Sequence, residues 1–142
     1  MHLDTLKAIL KQKGFSLTGP RRLIFELMLN QEPQSMSELI ARAGSKVDRA
    51  TVYRTAELFE RLGIAHRLNI GWKYKLELSE AFSEHHHHMH CTNCGRTIPL
   101  PANTMLETMI ETTAAKENFM PRGHQLEIYG LCPNCQNIGV MA

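Results

Sequence analysis

The 142-residue sequence predicts an α+β protein, in which an N-terminal winged helix-turn-helix precedes a small C-terminal α/β domain stapled by a four-cysteine zinc site. Three observations carry this reading. Helix, short turn, helix and β-hairpin follow one another in residues 1–78, the order of a winged helix. Two CxxC knuckles, Cys91-Thr92-Asn93-Cys94 and Cys132-Pro133-Asn134-Cys135, stand in the second half. Charge divides the chain at the same place: residues 1–78 hold 13 Lys and Arg against 8 Asp and Glu, and residues 79–142 hold 3 against 6. A basic half without cysteine and an acidic half rich in metal ligands are expected to be separate domains, 1–79 and 85–142, with 80–84 as a hinge.

The composition excludes several classes. Hydrophobic residues at 43% and charged residues at 21% are too apolar for a disordered chain. The apolar run from Leu23 to Leu29 is broken by Glu26 and is too short to span a bilayer. The opening Met1-His2-Leu3-Asp4 lacks the basic and apolar regions of a secretory signal. A cytoplasmic location without a membrane partner is therefore expected. In that reducing compartment, paired thiols are better used for metal than for disulfides.

Element by element, Leu3, Leu6, Ile9 and Leu10 give His2 to Lys13 a helical stripe that stops at Gly14. The second helix starts at Thr18 as N-cap, has Pro20 in its first turn, and runs to about Asn30. Ser35 and Glu38 form a capping box for a short third helix that ends at Gly44. A fourth helix, Asp48 to Leu62, carries Val52, Ala56, Phe59 and Leu62 on one face and Arg49, Tyr53, Arg54 and Arg61 on the other. Strands Ile64–Leu68 and Trp72–Leu78 flank Asn69-Ile70-Gly71 as a hairpin turn. In this arrangement the second helix of the pair enters the DNA major groove. The cationic face of the fourth helix suits that role, though the same residues could also be a solvated helix face.

The second half is read for its ligands. Two thiolates three positions apart hold one edge of a tetrahedral zinc, so Cys91, Cys94, Cys132 and Cys135 complete a four-sulfur site. Thirty-seven residues separate the knuckles, room for a helix from Asn103 to Asn118 with Leu106, Met109, Ile110 and Thr113 or Ala114 inward. A strand from Gln125 to Leu131 then leads into the second knuckle. The run His85-His86-His87-His88-Met89-His90 leads into the first. As a strand it points His86, His88 and His90 one way and His85 and His87 the other, so neighbouring histidines serve different sites. His66 and Glu77 in the hairpin, and Glu107 and His124 in the second half, are the candidates to complete them.

Taken together, Leu17-Thr18-Gly19-Pro20-Arg21, Ala50-Thr51-Val52-Tyr53-Arg54, the histidine run into Cys91-Thr92-Asn93-Cys94-Gly95, and His124 eight residues before Cys132 resemble the ferric uptake regulator superfamily of bacterial metal-sensing repressors. The resemblance covers nearly the whole chain. It implies a homodimer in which the C-terminal domain is the dimerisation domain, bound to a double-stranded DNA operator with Tyr53 and Arg54 at recognition-helix positions; Arg21, Arg49 and Thr51 are further DNA-binding candidates. It implies a structural Zn2+ on the four cysteines and a regulatory Zn2+ or Fe2+ on His66, Glu77, His86 and His88. His85, His87, Glu107 and His124 match a further site inside the dimerisation domain, where iron regulators usually carry Asp at position 87.

Three departures bear on the metal. Iron regulators of this kind supply a His before the third helix, where this chain has Gln31-Glu32-Pro33-Gln34-Ser35, and an acidic residue where it has Pro99. The remaining three His and one Glu suit tetrahedral zinc. His66 also resembles the zinc-uptake branch, but that branch usually has Cys where this chain has Glu77. Zinc is slightly favoured over iron, with manganese, nickel and peroxide sensing as further options. The expected function is a metal-dependent repressor of metal-homeostasis genes with no catalytic role and no small-molecule substrate. The alternatives are a zinc-dependent hydrolytic enzyme and a metal buffer; no His-Glu-x-x-His motif supports the first.

Overall fold

Three side-chain caps set the starts of the three helices that follow the first, which runs over His2–Gln12 (α1). Thr18 Oγ1 accepts the Arg21 N–H at 3.3 Å, opening Gly19–Met28 (α2). Ser35 Oγ accepts the Glu38 N–H at 3.1 Å, opening Met36–Ala43 (α3). Asp48 Oδ1 accepts the Thr51 N–H at 2.8 Å, opening Arg49–Arg61 (α4). Each accepted bond satisfies an N–H that the first helical turn leaves without an internal partner. Gly63, at φ +73°, lets the chain reverse after α4 in the left-handed region that side chains disfavour.

The computed structural model describes residues 1–70 and 72–137, and they divide into two compact units with the boundary between Glu84 and His85. In the first unit the apolar stripes of the helices close on one core built on Leu6, Leu10, Ile24, Phe25, Leu39, Val52 and Phe59. Ala65–Ile70 (β1) and Lys73–Leu78 (β2) pair antiparallel from Ala65 opposite Leu78 to Ile70 opposite Lys73. Pairing thus continues through Asn69 and Ile70, where the sequence suggested a turn; Gly71, the third turn residue, lies outside the described residues. Gln34 and Leu76 exchange backbone bonds of 2.9 and 2.7 Å, tying the start of α3 to the hairpin.

Residues 80–84, read from sequence as a hinge, include a core residue. Phe82 is 4% exposed and meets the Phe25 ring edge-on with centroids 4.9 Å apart. Phe82→Ala is expected to destabilise the first unit by about 3–5 kcal/mol, the usual range for deleting a buried phenyl group, measured by denaturant unfolding.

The second unit is built on a three-stranded sheet. Its centre is His86–Cys91 (β3), antiparallel to Thr97–Pro101 (β4) on one side and parallel to Glu127–Gly130 (β5) on the other. Between β4 and β5 runs Thr104–Lys116 (α5), capped by Asn103, whose Oδ1 accepts the N–H groups of Met105 and Leu106. A short helix, Pro133–Asn137 (α6), carries the last knuckle. Neither β4 nor α6 was anticipated from sequence. Nor does α5 bury the face expected: Leu106, Ile110 and Ala114 are half-buried, while Met109 and Thr113 are exposed. Where the helix meets β3 it does so through Glu107 against the His87 imidazole instead of through an apolar surface. Among the described residues the buried apolar cluster of this unit is Cys91, Cys132 and Cys135, with Ile98 and Leu131 packed against it. No helix among the described residues is long and apolar enough to cross a membrane.

Candidate metal centres and nucleic-acid surface

The knuckles meet because β3 and β5 run parallel and each ends at a cysteine turn. Cys91 N–H donates to the Arg96 carbonyl at 2.9 Å, and Thr92 N–H to the Gly130 carbonyl at 2.8 Å, closing both turns on one another. The four Sγ atoms of Cys91, Cys94, Cys132 and Cys135 all lie within 4.8 Å of one another, and Cys94 Sγ is 3.8 Å from Cys132 Sγ. A tetrahedral zinc with bonds of about 2.3 Å requires sulfurs about 3.8 Å apart, so the donor set fits that ion. Asn93 Nδ2 donates to Cys135 Sγ at 3.2 Å.

The thiols are unequally disposed to ionise. Backbone N–H groups of Cys132, then Cys94, bring the Cys91 thiol down to about 6. At Cys135 the Asn93 amide also favours the thiolate, but the neighbouring Cys132 and burial outweigh it and push the thiol up to about 11. Four thiolates packed this closely repel one another, so the full set needs a cation at its centre.

Four further candidate ligands converge inside the same unit. His87, almost wholly buried, sits 2.6 Å from Glu107 Oε1 through Nε2. His124 Nε2 lies 2.8 Å from Glu107 Oε2, and His85 Nε2 lies 3.3 Å from the same oxygen. His85 and His124 bring their Nε2 atoms to 3.1 Å of each other. Burial raises the affinity of Glu107 for its proton. The hydrogen bond from His87 and the charges of His124 and His85 outweigh that and hold the carboxyl below the usual range. Three imidazole nitrogens and one carboxylate aimed at one point form a four-coordinate set of the kind that holds zinc or another divalent transition metal.

The other predicted ligands are found in pairs within each unit. His66 and Glu77 are direct partners in the β1–β2 register, with Nε2 2.8 Å from Oε1 and the Glu77 side chain buried. His86 and His88 share a face of β3, their rings 4.8 Å apart. His90, on that same face, is buried against Glu127, a residue the sequence did not mark. The parallel pairing of β3 with β5 that brings Glu127 there is non-local and leaves no signal in residue spacing.

The first unit carries a cationic surface on α4. Arg49, Tyr53 and Arg54 are exposed, and the Arg49 guanidinium lies 5.7 Å from the Tyr53 ring centroid. Arg54 Nη2 donates to Thr51 Oγ1 at 3.3 Å. Arg21 is half-buried on α2, where it donates to the Ser16 carbonyl at 2.6 Å. A groove of about 210 Å³ brings Arg21 and Arg54 together with Thr18 and Thr51. Guanidinium and hydroxyl donors in one groove at helix N-terminal turns suit the oxygens of a phosphate backbone. The Thr51 hydroxyl and N–H hold the Asp48 carboxyl below its usual range, so the cap stays ionised and orders the first turn of α4.

Comparison with known proteins follows the same pattern. The family model described as the ferric uptake regulator family matches residues 12–129. The ferric uptake regulation protein of Synechococcus elongatus is 32% identical over 139 residues, covering 93% of this chain and 93% of its own. The crystal structure of the Vibrio cholerae ferric uptake regulator superposes with a TM-score of 0.74 at 33% identity, over 89% of this chain and 98% of that one. A zinc uptake regulator solved with zinc and DNA superposes with a TM-score of 0.65 at 25% identity, over 96% and 94% of the two chains.

Proposed function

The chain belongs to the ferric uptake regulator family, and from that premise we propose that it is a homodimeric repressor that binds operator DNA in response to Zn2+, with Fe2+ as the second choice of sensed metal, and so controls metal-homeostasis genes from the cytoplasm. Members of the family are transcriptional regulators and not enzymes, which sets aside the hydrolytic alternative. The observation that carries the proposal is the convergence of His85, His87, His124 and Glu107 on one point, in a chain whose other unit exposes a cationic helix behind an Asp48 cap.

Cys91, Cys94, Cys132 and Cys135 hold the structural zinc in this reading, and His66, Glu77, His86 and His88 hold the regulatory ion. His85, His87, Glu107 and His124 hold a further one. A bound divalent ion supplies the charge that keeps each ligand set assembled, shifting the population toward the conformer whose recognition helices match the operator. Zinc is favoured because the three imidazoles and one carboxylate of His66, Glu77, His86 and His88 make a set small enough for a tetrahedral ion. Exposed Met105, Met109, Phe119, Met120, Ile128 and Tyr129 support self-association, since a lone soluble chain seldom leaves so many large apolar side chains in water.

The experiment is a fluorescence-anisotropy titration of the chain's own upstream duplex, with buffered zinc, with anaerobic iron(II), and with chelator. Tight binding that chelator abolishes and zinc restores is expected; metal-independent binding, or none, overturns the reading. In the same assay Tyr53→Ala and Arg54→Ala should each weaken operator binding by about 1–3 kcal/mol if they reach base edges. If Arg54 touches only phosphate, its loss should weaken all sequences alike and reduce the salt slope by about one.

A further inference from the structure

His90 is 3% exposed, and both its ring nitrogens face polar partners. Nδ1 lies 3.1 Å from Thr97 Oγ1, the residue directly opposite it on β4, and Nε2 contacts Glu127 Oε2 on β5. With Glu127 ionised, the chemistry assigns one tautomer. Nε2–H donates to the carboxylate, and Nδ1 accepts the Thr97 hydroxyl. The Tyr129 ring, whose residue is the β5 partner of His90, stacks on the imidazole with centroids 5.5 Å apart. The carboxylate of Glu127 is therefore held by a buried, fully bonded histidine.

Its second oxygen is not committed. Glu127 Oε1 is buried and has no hydrogen-bond partner among the described residues. It lies 3.4 Å from Nδ1 of His88, the residue opposite Glu127 in the β3–β5 register. A small turn of the His88 ring converts that approach into an N–H···O bond. A buried carboxylate oxygen without a partner is costly, and a histidine that ligates metal through one nitrogen ordinarily donates from the other to a carboxylate or carbonyl.

We propose that Glu127, held by His90 and Thr97, is a positioning residue that fixes His88 as the Nδ1–H tautomer and presents Nε2 to the regulatory metal. This rests on the reading above in which His88 is a ligand. Metal binding then preserves the satisfaction of Glu127 Oε1, because ligation through Nε2 leaves the proton on the nitrogen that faces the carboxylate. The arrangement also separates the two histidine sets on β3. Glu127 lies beside His88 and His90, whereas Glu107 serves His85 and His87. Each set has its own carboxylate.

The test is long-range 1H–15N NMR on the full-length protein labelled at histidine, titrated with buffered zinc, which reads each imidazole separately. In the unmodified protein His88 should carry its proton on Nδ1 and show the metal shift on Nε2. Glu127→Gln should raise the free zinc at the His88 midpoint about 10- to 100-fold, leaving the midpoints of His85, His87 and His124 and the four-sulfur zinc content unchanged. Ligation of His88 through Nδ1, or an unmoved His88 midpoint in Glu127→Gln, overturns the proposal while leaving His88 a ligand. A His88 signal that never responds to zinc while His85, His87 and His124 do overturns the ligand reading, and the proposal with it. Should Glu127→Gln fail to fold, the tautomer and ligating nitrogen in the unmodified protein decide the matter alone.

Discussion

Cys94→Ser should unfold the second unit and dissociate the dimer. Among the described residues, the unit from His85 onward has a sheet of three strands, an α5 with no buried residue, and a buried apolar cluster of which three members are cysteines. A core that small does not hold a fold of this length. Structural zinc supplies about 10–16 kcal/mol of apparent binding free energy, comparable to or larger than the net stability of about 5–15 kcal/mol of an ordinary domain. The geometry indicates why one serine is enough. Cys94 Sγ is 3.8 Å from Cys132 Sγ, one edge joining the two knuckles, and an oxygen there is a poorer ligand for zinc than a thiolate. Circular dichroism, sedimentation velocity and bound-zinc analysis of the variant check this. A folded dimer with unchanged zinc would remove the four-sulfur site from the account.

The same contrast explains what could be read in the sequence. The first unit was legible nearly throughout because its determinants are local. Thr18, Ser35 and Asp48 each sit three residues before the N–H they cap, and Val52, Ala56 and Phe59 repeat at helical spacing and are buried. The hairpin ran longer than its composition suggested, since Asn69 is a poor strand former that cross-strand pairing with Tyr74 retains, and Phe82 joined the core from a stretch read as a hinge. In the second unit the candidate ligands stand out as residue types at fixed spacings: two CxxC knuckles and a run of histidines. The elements around them were less so. Strand β4 contains Pro99 and Pro101, which argue against a strand until one sees that β4 lies at an edge of the sheet, where an N–H is not needed on the outer side. Helix α5 meets a histidine of the sheet through its own Glu107 instead of through an apolar face. Glu127 was illegible for the most basic reason. Its importance lies wholly in the register of a parallel pair whose strands are thirty-odd residues apart in sequence.

His86→Ala and His88→Ala should each abolish metal-dependent DNA binding while the four-sulfur zinc and the dimer survive. The motivation is the alternation of β3 and the partners found on each side. His85 and His87 come within reach of Glu107 and His124, whereas His88 faces Glu127, beside His86 and His90 on the other side of the strand. A strand cannot aim adjacent side chains at one ion without a bulge. His85→Ala and His87→Ala remove ligands from a set that lies wholly within the second unit, so they should change metal affinity or dimer stability more than the DNA switch. The size of the first effect follows from linkage. An ion can shift the equilibrium between conformers only by its differential affinity for them, so a site that has lost a ligand loses its leverage even where some binding remains. A shift from mostly inactive to mostly active dimer needs about 5.5 kcal/mol of that difference, and losing one imidazole ligand removes enough of it to leave DNA affinity nearly independent of free zinc. Anisotropy titrations of operator DNA against buffered zinc in the four single variants measure it directly. If 85 and 87 lose the switch as completely as 86 and 88, the four histidines act as one site and strand alternation does not divide their work.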